Sequence, residues 1–247
     1  MIQIAARTRG LEAAKTILSQ RFNILEITLP CPGGIEELTA WEELAQQHEL
    51  ILLGHGPEEG NPKDLSQLEK IYLPKLRQAL EQANKLGVSL LTIHLWLDPR
   101  WMKSEIIRDK IELLARVVDW GEELGVQIDL ENLSETWSDL VPPLKRCAEL
   151  GLTLDLGHAM LMRPSNTAPD IILNLYDRIK HLHFHDNHGG ATPRDDLHLF
   201  PGQGKVPFSR IFKLLKERHY NRTATLELEP AEMASAREWV LKLWQGL

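Results

Sequence analysis

The tetrapeptide Asp155-Leu156-Gly157-His158 closes the apolar run Leu152-Thr153-Leu154 and sets a carboxylate beside an imidazole. In a strand, Thr153 and Asp155 share one face and Leu152 and Leu154 the other, so the acid leaves on the polar side. Gly157 is expected to turn the chain and bring His158 back beside Asp155, within reach of one divalent ion. A capping Asp and a surface His are the ordinary alternative for so short a motif. Repetition weighs against it. Gly54-His55, Thr92-Ile93-His94, Asp129-Leu130-Glu131, His181-Leu182-His183-Phe184-His185 and Thr225-Leu226-Glu227 close other apolar runs in the same way. Each alone could be a hydrogen-bonded core residue or half of an ion pair. Together, acids and imidazoles meeting at one place would repel or go unsatisfied unless a cation sits among them.

Eight apolar runs can place these groups: Ile2 to Ala6, Asn23 to Leu29, Leu50 to Gly54, Val88 to His94, Val126 to Glu131, Leu152 to Asp155, Lys180 to His185 and Thr223 to Leu228. Amphipathic segments such as Leu65 to Leu86 and Ser104 to Leu124 lie between them, with apolar residues every three or four positions. Gly87, Gly125 and Gly151 are expected to stop helices just before strands. Strands alternating with helices in this way predict an α/β fold, a single (β/α)8 barrel domain over residues 1–247. An open doubly wound sheet is the rival, but it would carry a glycine-rich phosphate turn after its first strand, and none follows Ile4. In a barrel the reactive groups gather at the C-terminal strand ends, and the irregular stretch from Asp186 to Pro207 is expected as a lid or substrate wall there. Gly202-Gln203-Gly204-Lys205 lacks P-loop spacing and is read as a turn into the next helix.

Composition excludes more than it selects. The 247 residues carry a net charge of -7 and no basic stripe, which argues against nucleic acid as a partner. Two cysteines, Cys31 and Cys147, make no disulfide framework, and no run is apolar enough for a signal peptide or a bilayer span. A cytoplasmic protein is expected, with no membrane partner; a homo-oligomer is compatible with this composition.

Taken in order, Glu131-Asn132, Asp155-Leu156-Gly157-His158, His183-Phe184-His185-Asp186, Asp196-Leu197-His198 followed by Pro201-Gly202-Gln203-Gly204, and Thr225-Leu226-Glu227 resemble the xylose-isomerase-like TIM barrels. That superfamily includes sugar isomerases and epimerases, inosose dehydratase-like and dehydroshikimate dehydratase-like enzymes, and endonuclease IV. For the sugar-acting members the resemblance implies one divalent ion (Zn, Mn, Co or Mg) held by Glu131, Asp155, His183 and Glu227, with His158 near the substrate. Glu131 and Glu227 would then also move the proton from opposite sides. For endonuclease IV it implies that His55, His94, His158, Asp196 and His198 join the same four to hold three zinc ions.

The two readings differ in charge. Glu131, Asp155, Asp196 and Glu227 bring four negative charges, so one divalent ion leaves about -2 and suits a neutral polyol, whereas three leave about +2 and suit a phosphate. The expectation is therefore a metal-dependent isomerase or epimerase of a small sugar or sugar phosphate, with a multi-zinc phosphoesterase of the endonuclease IV type as alternative. His158 is expected as a catalytic residue or a further ligand. His55, His94, His185 and Trp96 are expected to bind substrate, Trp96 as part of an apolar wall with Trp101 and Trp137. Glu227 is preferred over Glu229 as ligand, Asp186 is expected to fix an imidazole tautomer, Glu26 is a substrate or core-network group, and Asp129 faces inward with no evident partner.

Overall fold

The computed structural model describes residues 2–247 and closes eight parallel strands into a barrel in chain order. The strands are β1 (Gln3–Thr8), β2 (Ile24–Thr28), β3 (Ile51–His55), β4 (Leu90–Ile93), β5 (Gln127–Glu131), β6 (Gly151–Asp155), β7 (Ile179–Phe184) and β8 (Thr223–Leu226). Each coincides with an expected run, and the helices between them form the outer layer of a (β/α)8 barrel. Outward residues such as Leu91, Ile93, Ile128, Leu130, Leu154 and Phe184 are buried in the core shared with the helices. Inside the barrel, Ala5, Ile24 and Leu53 with Leu90 make a small apolar layer below the polar positions. Asp129 lies within the barrel too, and burial pushes its carboxyl up to about 8 despite Lys180 nearby.

Helix α5 (Ser104–Leu124) has the expected bounds and ends on Gly125, whose φ of 68° suits a residue without Cβ. The segment expected as one helix over 65–86 is instead α3 (Leu65–Gln67), a π turn (Leu68–Tyr72) and α4 (Leu73–Lys85). Pro74 in the first turn of α4 has no N–H for the carbonyl four residues back, and the wider π turn accommodates that gap. Gly151 also departs from expectation. It opens β6 rather than stopping a helix, and a Cβ there would overlap the Asp129 carboxylate.

Two features build the mouth of the barrel. Gly157 has an ordinary right-handed conformation, φ −77°, so it is not needed for the turn. It is needed for clearance: a Cβ at 157 would overlap the His185 ring. The stretch from Asp186 to Pro207 is organised by Asp186, whose carboxylate accepts from the backbone N–H groups of Asn187, Gly202, Gly204 and Val206 at 2.8–3.0 Å. The expectation that Asp186 fixes an imidazole is corrected: a fully buried carboxylate at a loop's root is better satisfied by four amides. Phe184 then anchors the loop's far end by packing on Phe208 and Phe212 of α8 (Phe208–Glu217), a burial worth roughly 2–3 kcal/mol.

Candidate metal centre

The inward-facing residues at the strand ends meet below a cavity of about 810 Å³ lined by Arg7, His55, His94, His158, Asp196, His198 and Glu227, among others. Period-two alternation explains the placement: Asp155 and Thr153, or His183 and His181, share the barrel interior while Leu154 and Leu182 face the helices. Asn132 ties the ends of β5 and β6, its amide donating to Asp155 O at 3.0 Å and its carbonyl accepting from Asp155 N at 2.8 Å.

At the centre, His183 Nδ1 lies 3.4 Å from Glu131 Oε2, 3.5 Å from Glu227 Oε1 and 3.8 Å from Asp155 Oδ2. None of these contacts is a hydrogen bond. The other nitrogen, Nε2, is engaged with Glu26 at 3.1 Å, so Nδ1 is the nitrogen left to face the carboxylates. His158 Nδ1 is 2.9 Å from Glu131 Oε1, which accepts no aligned bond, and donates instead to the Asn132 carbonyl at 3.3 Å. Lone pairs converging without hydrogen-bond geometry are what a divalent ion requires of its ligands.

The nine residues expected as ligands fall into overlapping sets whose donor atoms lie within 4.8 Å of one another. Glu131, Asp155 and His183 form one; His55, His94 and Glu131 a second; His158, Asp196 and His198, joined by His185, a third. Glu227 does not complete the first trio at that distance. It meets Asp155 and His185 in one set and Glu26, His55 and His183 in another. Arg7 Nε, 3.7 Å away, and His198 Nδ1, 3.6 Å away, hold its two oxygens from the cavity side. Glu229 is exposed at the rim.

The substrate-binding expectations divide. His55 and His94 line the cavity. His185 is fully buried outside the lining, donating to Asp155 Oδ2 at 3.1 Å and stacked 4.0 Å from His198. Trp96 also lies outside the lining; its indole N–H donates to Ser134 Oγ at 2.8 Å and its ring stacks on Trp101. Trp101 and Trp137 are exposed. Glu26, expected as a substrate or core-network group, lies in the network beneath the site, and Arg7 is a contributor that the sequence did not single out. Arg7 sits one position beyond the expected end of the first strand, and an inward count of Gln3, Ala5, Arg7 would have found it.

Burial by itself would neutralise Glu131, Asp155, His158 and His183; opposite charges prevent that. His183 and His94 hold Glu131 well below the usual carboxylate range, and His158 and His185 lower Asp155. Against their own burial, Asp155, Asp196 and Glu131 hold His158 well above the usual imidazole range, while Glu26, Glu227 and Glu131 do so for His183. Asp196 raises His198 to about 9, whereas burial and the nearby Arg7 push His55 down to about 4. An ion would substitute for protons at such a site, so the donor set fits a divalent metal.

Comparisons with known proteins bear on the family and the fold. A family model described as xylose isomerase-like TIM barrel matches residues 18–243. The uncharacterized protein MJ1614 of Methanocaldococcus jannaschii is 30% identical over 234 residues, covering 90% of this chain and 87% of its own. A fructoselysine 3-epimerase of Shigella flexneri is 23% identical over 227 residues, covering 83% of this chain and 76% of its own. The crystal structure of a D-tagatose 3-epimerase-like protein superposes with a TM-score of 0.84 at 23% identity over 99% of both chains, a likeness of fold. No helix among the described residues is long and apolar enough to cross a membrane.

Proposed function

The chain belongs to the xylose isomerase-like TIM barrel family, and we propose that it is a divalent-metal-dependent isomerase or epimerase of a small sugar or sugar phosphate. The observation that carries this reading is His183, whose Nδ1 lies within 3.8 Å of three carboxylates and bonds none of them. Glu131, Asp155, His183 and Glu227 would hold the ion, an oxygen-and-nitrogen set suited to zinc, manganese, cobalt or magnesium. A bound ion would supply Lewis-acid polarisation of a sugar carbonyl and its neighbouring hydroxyl, which would acidify the hydrogen on the adjoining carbon.

The side chains do the rest. Glu227 stands off from the tightest trio, faces the cavity and is steadied by Arg7 and His198, so it is the carboxylate to take the proton. Glu131 reaches in from β5, three strands away, and serves the opposite face. His158, pinned between Asp155 and Asp196, orients a substrate oxygen, and His55 and His94 meet sugar hydroxyls. The fructoselysine 3-epimerase among the relatives supports a ketose-type substrate. Free, buried Cys31 and Cys147 fit a reducing, cytoplasmic setting.

The test is turnover by the metal-loaded chain on a panel of ketoses and ketose phosphates. Glu227→Gln is expected to lose about 10²–10⁴-fold in rate. Absence of turnover across the panel by the loaded native chain overturns the reading. A second reading, a multi-zinc phosphoesterase, has its own support in the sets His55, His94, Glu131 and His158, Asp196, His198 around the same cavity. Elemental analysis separates the two: one tightly held ion per chain favours sugar chemistry, three zincs favour metal-assisted phosphoester hydrolysis.

A further inference from the structure

We propose that Glu26 is a positioning residue that orients His183 as a metal ligand and strengthens it as a donor, through a buried carboxylate–imidazole pair beneath the cavity. The inference rests on the reading that Glu131, Asp155, His183 and Glu227 hold a divalent ion.

Glu26 enters from β2, across the barrel interior from β7, and is fully buried. Its Oε2 accepts from His183 Nε2 at 3.1 Å, from His181 Nε2 at 3.1 Å and from Thr225 Oγ1 at 2.6 Å. Its Oε1 also lies 3.1 Å from His183 Nε2 and has no hydrogen bond of its own. The ionised Glu26 carboxylate can only accept, so His181 too presents Nε2–H to it, and the other His181 nitrogen accepts from Thr223 Oγ1 at 2.7 Å. Both imidazoles on this strand are therefore turned by one carboxylate.

Two consequences follow for His183. The proton is held on Nε2, leaving the Nδ1 lone pair toward Glu131, Asp155 and Glu227, and a ring flip would forfeit the bond to Glu26. A carboxylate drawing on Nε2–H makes the opposite nitrogen a stronger donor, and outer partners of this kind typically change metal affinity by about 10–100-fold. A polar plug that merely fills the barrel would need a partner for Glu26, but not one whose other nitrogen faces three carboxylates.

Gln at 26 keeps shape and an acceptor oxygen but no charge, and Met keeps approximate volume alone. Zinc affinity by chelator competition, and the visible absorption of the protein loaded with Co²⁺, are measured on the native chain, Glu26→Gln and Glu26→Met. The expected result is zinc binding weakened about 10-fold by Gln and about 100-fold by Met, with altered cobalt bands. Folded variants with native zinc affinity and native cobalt bands overturn the inference, even if their melting temperatures fall. If the Met variant does not fold, the Gln variant decides. A native chain that takes up neither metal overturns the proposed function, and this inference with it.

Discussion

The central candidate ligands lie beneath the cavity and the outer ones line it, and the two sets are built by different means. Glu131 and Asp155 stand on the last residues of hydrogen-bonded strands, with side chains fully buried. His158, Asp196 and His198 hang on the loops after β6 and β7, and the latter two side chains are 22% and 30% exposed. The barrel ladder positions the first set, so no single loop can displace it. Of the second set, Asp196 and His198 depend on one carboxylate, Asp186, gathering four backbone amides of their loop. The difference fixes the geometry of the centre and leaves the rim room to adjust.

The strongest blow to this contrast is Asp155→Asn, because Asp155 serves both sets: it lies in the central trio and also accepts from His185 and from His158 N. Uptake of the ion should fail, and turnover should drop on the order of 10³-fold, the scale of several kcal/mol of lost charge stabilisation. Retention of metal by this variant, read by elemental analysis, would break the account of the centre.

Asp186→Ala should separate the sets. Four amides lose a charged acceptor, costing about 3–5 kcal/mol of stability, read as a lower denaturant midpoint. Hydrogen exchange should quicken across 186–207 while the centre keeps its ion. Loss of that ion at equal rate would mean the two sets are one unit.

The smallest effect concerns pH. In the metal-free chain Asp196 raises His198 to about 9, above its unfolded value, so the stabilisation is complete below about pH 6.5 and disappears as pH climbs through 9. The loss should be on the order of 2 kcal/mol and should be absent in His198→Asn, as thermal melting between pH 6 and 10 would register.

Much of the centre was legible because strand alternation is local: Asp155, His183 and Glu227 each end an apolar run whose period assigns their face. Contacts across the barrel were not. Glu26 meets His183 only once eight strands close, and nothing near either residue announces the other. Asp186 was misjudged for a related reason, since its partners are amides up to 20 residues away and amides leave no mark in a sequence. Trp96 has the composition of a substrate wall, but Ser134 and Trp101 claim it first.

The missing side chain at residue 157 also bounds any attempt to re-engineer the mouth of this barrel. A single added methyl would act as a wedge on His185, tilting it off Asp155 and carrying the disturbance into His198 stacked behind it. Libraries that diversify the rim should leave that codon untouched, and a tolerated alanine there would reveal slack between neighbouring loops that the static geometry does not offer.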